Sequence, residues 1–217
     1  MKNLFTAIFS IIAMTLVPAA LFAQRYNTEG VAPNTDLGDL KVDKPEIINS
    51  DVAFADGGND WIAMSAEVHA ITQVPIDKLY AVLHDIESQP KVFNKGLSVT
   101  KSAKIDSTGP DGTVATYTTS AVGQETVYTA LVTEKVNLPD SVFIVVKQTK
   151  PNSQIRNVYA TWYLSTVTLN GIKYSYIRFY DSNEAAGGGI KKAAVSAGIN
   201  SAHTATINQL IDGAKKR

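Results

Sequence analysis

The sequence predicts an α+β fold in which a curved antiparallel sheet of about seven strands wraps around a long C-terminal helix, with two short helices after the first strand. Three observations lead there. An amphipathic stretch, Thr72 to Phe93, sits between two strand-like segments. A run of strand candidates then follows with only short, turn-rich breaks, which favours hairpin-linked antiparallel neighbours. The chain closes on a helical apolar stripe whose only remaining partner is the concave side of that sheet.

Residues 1–23 read as an export signal. Lys2 supplies the positive start, Leu4 to Val17 is almost wholly apolar, Pro18 breaks the run, and Leu21-Phe22-Ala23 offers a small residue at the cut. Cleavage before Gln24 places the mature chain in the periplasm or outside the cell. The alternative is an uncleaved membrane anchor, since Leu4 to Phe22 is about long enough to span a bilayer. Residues 24–58 have no sustained period and are dotted with Asn, Asp, Gly and Pro, so they form an N-terminal arm or linker. Within it, Ile47, Ile48, Val52 and Phe54 are candidates for one edge strand, closed by a turn at Asp56-Gly57-Gly58-Asn59. Residues 59–217 form the folded domain.

From Trp61, Ile62, Met64, Ala66, Val68 and Ala70 alternate with Ala63, Ser65, Glu67 and His69, the period of a half-buried strand. Ile76, Leu79, Tyr80, Leu83 and Ile86 then recur at spacings of three and four, the stripe of a helix lying on a sheet. Pro75 suits the first turn, where its missing N–H costs nothing, and Asp77 complements the positive helix end. Ser88 and Pro90 interrupt the helix, and Lys91 to Phe93 make a short second one. Strand candidates follow at Leu97–Ile105, Thr113–Val122, Glu125–Lys135, Ser141–Lys150, Arg156–Val167 and Ile172–Tyr180. Turn chemistry separates them, most strongly at Asn170-Gly171. After Gly187-Gly188-Gly189, Val195, Ile199, His203, Ile207, Leu210 and Ile211 define the final helix, with small residues Ala193, Ala194, Ala197 and Gly198 in its first turns.

Composition narrows the function classes. Lys plus Arg total 20, matching 20 Asp plus Glu, and this balance argues against a sequence-independent nucleic-acid binder, which needs a basic face. There is no cysteine, so neither disulfide nor thiolate chemistry is possible, nor a lipidated cysteine anchor. No Gly-x-Ser-x-Gly elbow, phosphate-cradling loop or His-Glu-x-x-His pair occurs, so no catalytic residue is assigned. His69, His84 and His203 fall on three different elements, and no metal site or cofactor is expected.

The order of elements, with ITQVPIDKLYAVLHDIESQPKVF near the start and FYDSNEAAGGGIKKAAVSAGINSAHTATINQL at the end, resembles the START and polyketide-cyclase-like superfamily (SRPBCC, Bet v 1-like), the helix-grip fold. The match falls on Pro75, Leu79, Val82, Leu83, Asp85 and Pro90 and on the Gly-Gly turn into the last helix, and it covers about residues 59 to 215. Two departures stand out: Phe93 occupies the place of the family's tryptophan, and Lys191 that of its proline after the glycines.

The resemblance implies a hydrophobic cavity between sheet and C-terminal helix that holds a lipid or other hydrophobic small molecule, usually without chemistry. A monomer making transient contact with a membrane surface completes that expectation. Small residues of the last helix, Ala202 included, leave room for a ligand or merely let helix and sheet approach closely. Strand parity selects the candidate walls: Met64, Tyr117, Ile144, Trp162, Ile177 and Phe179 from the sheet, and Ile199, Ala202, His203 and Ile207 from the helix. Tyr117 and Tyr128 either add hydroxyls to the pocket or form a cross-strand pair on the outer face. His203 would turn a polar nitrogen into the helix–sheet space, to orient a ligand hydroxyl or carboxylate or to serve as a satisfied structural residue. Arg178 has the opposite parity and is read as outward; an inward orientation would make it a carboxylate clamp balanced by Glu67. An enzyme of the cyclase or hydrolase kind and an envelope or stress protein with a filled core are the other function classes.

Overall fold

Ile76, Leu79, Val82 and Leu83 fall on one side of the helix α1 (Ile76–His84) and are all buried. Each such burial is worth roughly 1.5–3 kcal/mol, which is why so short a helix holds its place. Pro75 stands at its N-cap, and the Pro75 carbonyl accepts from the N–H groups of Lys78 and Leu79. The helix stops at Asp85, earlier than Ser88 and Pro90 suggest. A 3₁₀ turn (Ile86–Ser88) and the single-turn helix α2 (Gln89–Val92) follow, and Pro90 sits at the start of α2, where a proline is tolerated.

The computed structural model describes residues 28–55, 61–121, 124–186 and 192–217. The strands are β1 (Glu46–Ala55), β2 (Trp61–Thr72), β3 (Ser98–Gly109), β4 (Gly112–Ala121), β5 (Gln124–Asn137), β6 (Ser141–Gln148), β7 (Ile155–Leu169) and β8 (Ile172–Ala186). They form one antiparallel sheet in the order β1-β2-β8-β7-β6-β5-β4-β3. The count is eight rather than about seven because Glu46–Ala55 pairs along β2, from Glu46 opposite His69 to Ala55 opposite Trp61. The turn expected at 56–59, the export signal expected at 1–23 and the triple glycine lie outside the described residues.

Hairpin chemistry sets the register. Leu169 pairs with Ile172, and between them Asn170 and Gly171 both take positive φ, 51° and 80°, the type I′ turn that Asn-Gly favours. Both edge strands carry bulges, β1 near Asn49 and β3 near Ser102 and Ser107, and β3 also presents Lys101 and Lys104. Bulges and charges of this kind discourage edge-to-edge association.

The helix α3 (Lys192–Ala214) buries Val195, Ile199, His203, Ile207, Leu210 and Ile211, the stripe read from the sequence, and Ala214 besides. Its C-terminal half meets α1 and the sheet in the main core, with Leu79, Val82, Val142, Leu164 and Ile177. Gly213 lies so close to α2 that a Cβ there would come within 2.8 Å of a Val92 methyl. Lys215 binds Asp43, and Arg217 binds both Asp85 and the Ala81 carbonyl, so this end is fastened to α1 and to the chain before β1.

The outer face of the sheet is covered as well over β2, β8 and β7. Residues 28–45 cross it, placing Leu40 against Ile71 and Tyr176, with Leu37, Tyr163, Val167 and Tyr174 around them. The Ala32 N–H donates to the Tyr176 hydroxyl, Arg178 donates to the Gly30 carbonyl, and Thr28 bonds Thr161. Beneath this arm lies an ion pair, Arg178 with Glu67, whose side chains are each 5% exposed. The two are diagonal neighbours on β8 and β2, and the Asn49 amide donates to the second Glu67 oxygen. Arg178 therefore faces outward, and the inward clamp reading is overturned. Its partner is Glu67, and what buries both is the arm.

Candidate functional site

Between the concave face and the N-terminal half of α3 the side chains do not fill the space. Two adjoining hollows remain, of about 170 Å³ and 180 Å³. The first lies against α2 and is walled by Leu83, Phe93, Val132, Ile144, Trp162 and Phe179. The second lies towards the start of α3, among Ile62, Met64, Leu97, Ile155, Val195 and Ile199. Ser98, Thr119, Tyr128, Val158, Asp181, Ala202 and His203 border both, so these residues form the waist between the lobes.

Eight of the ten residues selected from the sequence line these hollows: Tyr117, Ile144, Trp162 and Phe179 the first, Met64 and Ile199 the second, Ala202 and His203 both. Ile177 and Ile207 line neither. Both are fully buried in the packed core near α1, because Ile177 lies two residues before Phe179 on β8 and Ile207 one helical turn after His203 on α3. Parity gave them the correct face and could not give their distance along it.

A column of rings organises the first lobe. Phe93 stacks on Trp162 at 6.3 Å between centroids, Trp162 on Phe179 at 4.0 Å, and Phe179 on His203 at 5.6 Å. The column runs from the end of α2 across β7 and β8 to α3, and it fixes the plane of the imidazole. Opposite it, Tyr117 and Tyr128 stand directly across β4 and β5 and stack at 5.5 Å. They are a cross-strand pair, but on the cavity side, so both sequence readings of them were half right.

His203 is satisfied on both nitrogens. Nδ1 lies 2.7 Å from the Ile199 carbonyl, which can only accept, so this nitrogen carries a proton. Nε2 lies 3.2 Å from Asp181 Oδ2, which also accepts the Asn183 amide at 3.0 Å. Burial, the largest single influence, disfavours the charged ring. The hydrogen bond and charge of Asp181, with the Ile199 carbonyl, together outweigh it and hold the imidazole pKa above its ordinary range. Asp181 escaped the sequence reading because β8 continues past Tyr180 to Ala186, through Asp-Ser-Asn-Glu, a run that resembles a turn.

A pH dependence follows. The folded-state pKa of His203 exceeds the ordinary 6.5, so its stabilisation is fully present below that value and is lost as pH rises through the raised one. Wild type should exceed His203→Gln in unfolding free energy most near pH 6, and the gap should shrink towards pH 9. Chemical denaturation across that range measures it; a gap that widens with pH would mean the ring is neutral in the fold.

His69 lies on the outer face beside Tyr176, with its pKa lowered by burial, and His84 binds Glu134 at the end of α1. Among the described residues no group of three His, Asp or Glu is placed to hold a metal ion, and no helix is long and apolar enough to cross a membrane.

Neither a family model nor a curated protein matches the sequence. Solved structures do match the fold. One is an aromatase/cyclase, Zhui, from a Streptomyces species, with TM-score 0.55, 16% identity, and coverage of 71% of this chain and 95% of that one. Human STARD10 has TM-score 0.56 and 14% identity, over 77% of this chain and 73% of its own. A STAR-related lipid transfer protein from Xanthomonas axonopodis has TM-score 0.51 and 11% identity, over 76% and 98%. A bent antiparallel sheet gripping a C-terminal helix, with two short helices after its first long strand, is the START-like, helix-grip fold, and that is the fold of this chain.

Proposed function

We propose that the chain is an exported, non-catalytic carrier that holds a lipid or other hydrophobic small molecule between sheet and α3, for transport or sequestration. The observation that carries this reading is the pair of adjoining, mostly apolar hollows on the concave face. A core built only for stability would close such space, since empty volume forfeits packing energy. The lipid-transfer protein with the same fold supports the class of ligand. The export segment at residues 1–23 supports a periplasmic or extracellular site of action. We read the carrier as a monomer that meets a membrane surface transiently, with Leu97, 47% exposed on the rim of the second hollow, as the point of contact.

The His203–Asp181 pair favours an enzyme of the cyclase or hydrolase kind as a second reading. Both imidazole nitrogens are already engaged, however, and among the described residues no serine, threonine or lysine nucleophile bonds to the ring, so recognition is the better role for the pair. Native mass spectrometry of protein purified gently from its own cell envelope tests the carrier. The expected result is a co-purifying hydrophobic molecule released on denaturation. Ligand-free protein that hydrolyses model esters would overturn it.

A further inference from the structure

The waist of the cavity is polar in a specific way. Asp181 Oδ2 is occupied by His203 and Asn183, while Oδ1 has no hydrogen-bond partner among the described residues. The hydroxyls of Tyr117 and Tyr128 likewise have none, although both rings line the first hollow and Tyr117 is only 5% exposed. Burial, reinforced by the Glu134 charge for Tyr117 and by Tyr117 and Asp181 for Tyr128, pushes both phenols above their usual range, so they stay protonated. These three oxygens open onto the hollow with their bonding capacity free, so a guest there can complete them.

What completes them must offer a donor to the carboxylate oxygen and an acceptor to a phenol. A hydroxyl group does both with one atom. A carboxylate or phosphate donates nothing, so it would set oxygen against Asp181 Oδ1 with no proton between them. Size gives a second constraint. Each lobe, about 170 or 180 Å³, is close to the roughly 150 Å³ apolar cavity that accommodates one benzene ring.

We propose that the preferred ligand is a compact, uncharged ring compound on the order of a dozen non-hydrogen atoms, bearing a hydroxyl that binds Asp181 Oδ1 and a tyrosine hydroxyl at the waist while its apolar body fills the lobes. This rests on the carrier reading and selects within it: fatty acids and two-chain phospholipids are poor ligands.

Calorimetric titration of the mature chain with naphthol, naphthalene, naphthoate, palmitate and phosphatidylcholine vesicles tests it. Naphthol should bind at least about tenfold tighter than naphthalene or naphthoate, the difference one or two buried hydrogen bonds make. In Asp181→Asn the discrimination against naphthoate should fall about tenfold. Tyr128→Phe, which keeps the ring, should weaken naphthol several-fold and leave naphthalene unchanged. Naphthoate or palmitate binding as tightly as naphthol, or discrimination unaltered in both variants, overturns the ligand assignment and leaves the carrier standing. Failure of every compound to bind removes the carrier reading itself.

Discussion

Arg178→Met should destabilise the fold by about 3–5 kcal/mol, the cost of stranding a buried carboxylate without its partner. Glu67 and Arg178 are each 5% exposed, sealed between the sheet and residues 28–45, so water cannot reach the orphaned Glu67 to compensate. The variant also loses the Arg178 bond to the Gly30 carbonyl, which ties the arm down. A melting temperature lower by roughly 10 °C is expected for a chain of this size. Combining it with Glu67→Gln should recover most of the loss, because a neutral amide keeps the Asn49 contact without a buried charge. Thermal and denaturant unfolding of the two single variants and the double variant provide the cycle. A single-variant loss under about 1 kcal/mol would mean that the pair is as solvated as a surface ion pair.

Ala202→Trp should abolish uptake of an uncharged apolar fluorophore such as N-phenylnaphthylamine while leaving unfolding cooperative. Ala202 faces both hollows, so an indole there enters vacant space rather than displacing packed neighbours. Filling one lobe and blocking the waist removes the room a ligand needs, and the added apolar contact offsets strain in the helix. Fluorescence titration against wild type checks this. Uptake at wild-type affinity would place binding somewhere other than the space beside α3.

These two variants act on opposite faces of one sheet, and the sequence revealed those faces unequally. Alternation from Trp61 to Ala70 and the spacing of Val195, Ile199, His203, Ile207 and Leu210 announce the inner face directly, because burial there imposes a period. Asn170-Gly171 fixes its hairpin because the type I′ turn demands positive φ. The outer face was less legible. Parity separated Arg178 from Ile177, but nothing periodic in residues 28–45 says that they fold back over Glu67, Tyr176 and Arg178. That arm is held by backbone groups, Gly30 and Ala32, meeting side chains far away in sequence, an interaction with no local pattern. Asp181 was missed for a related reason: its role depends on a histidine on another element, and its own neighbourhood reads as a solvated turn.

Among the described contacts of the final helix, the ion pairs lie at its tail and the bond from His203 to Asp181 lies near its middle. Lys215, Arg217, Gly213 and the Leu210–Ile211 packing secure its tail, while its leading turns border hollow space. Mechanically it is a beam clamped at the tail and propped at His203, with its first turns overhanging the second hollow. If the carrier proposal holds, guests somewhat bulkier than the resting volume should meet a graded elastic cost at that overhang, so selectivity by girth should be softer than selectivity by polarity.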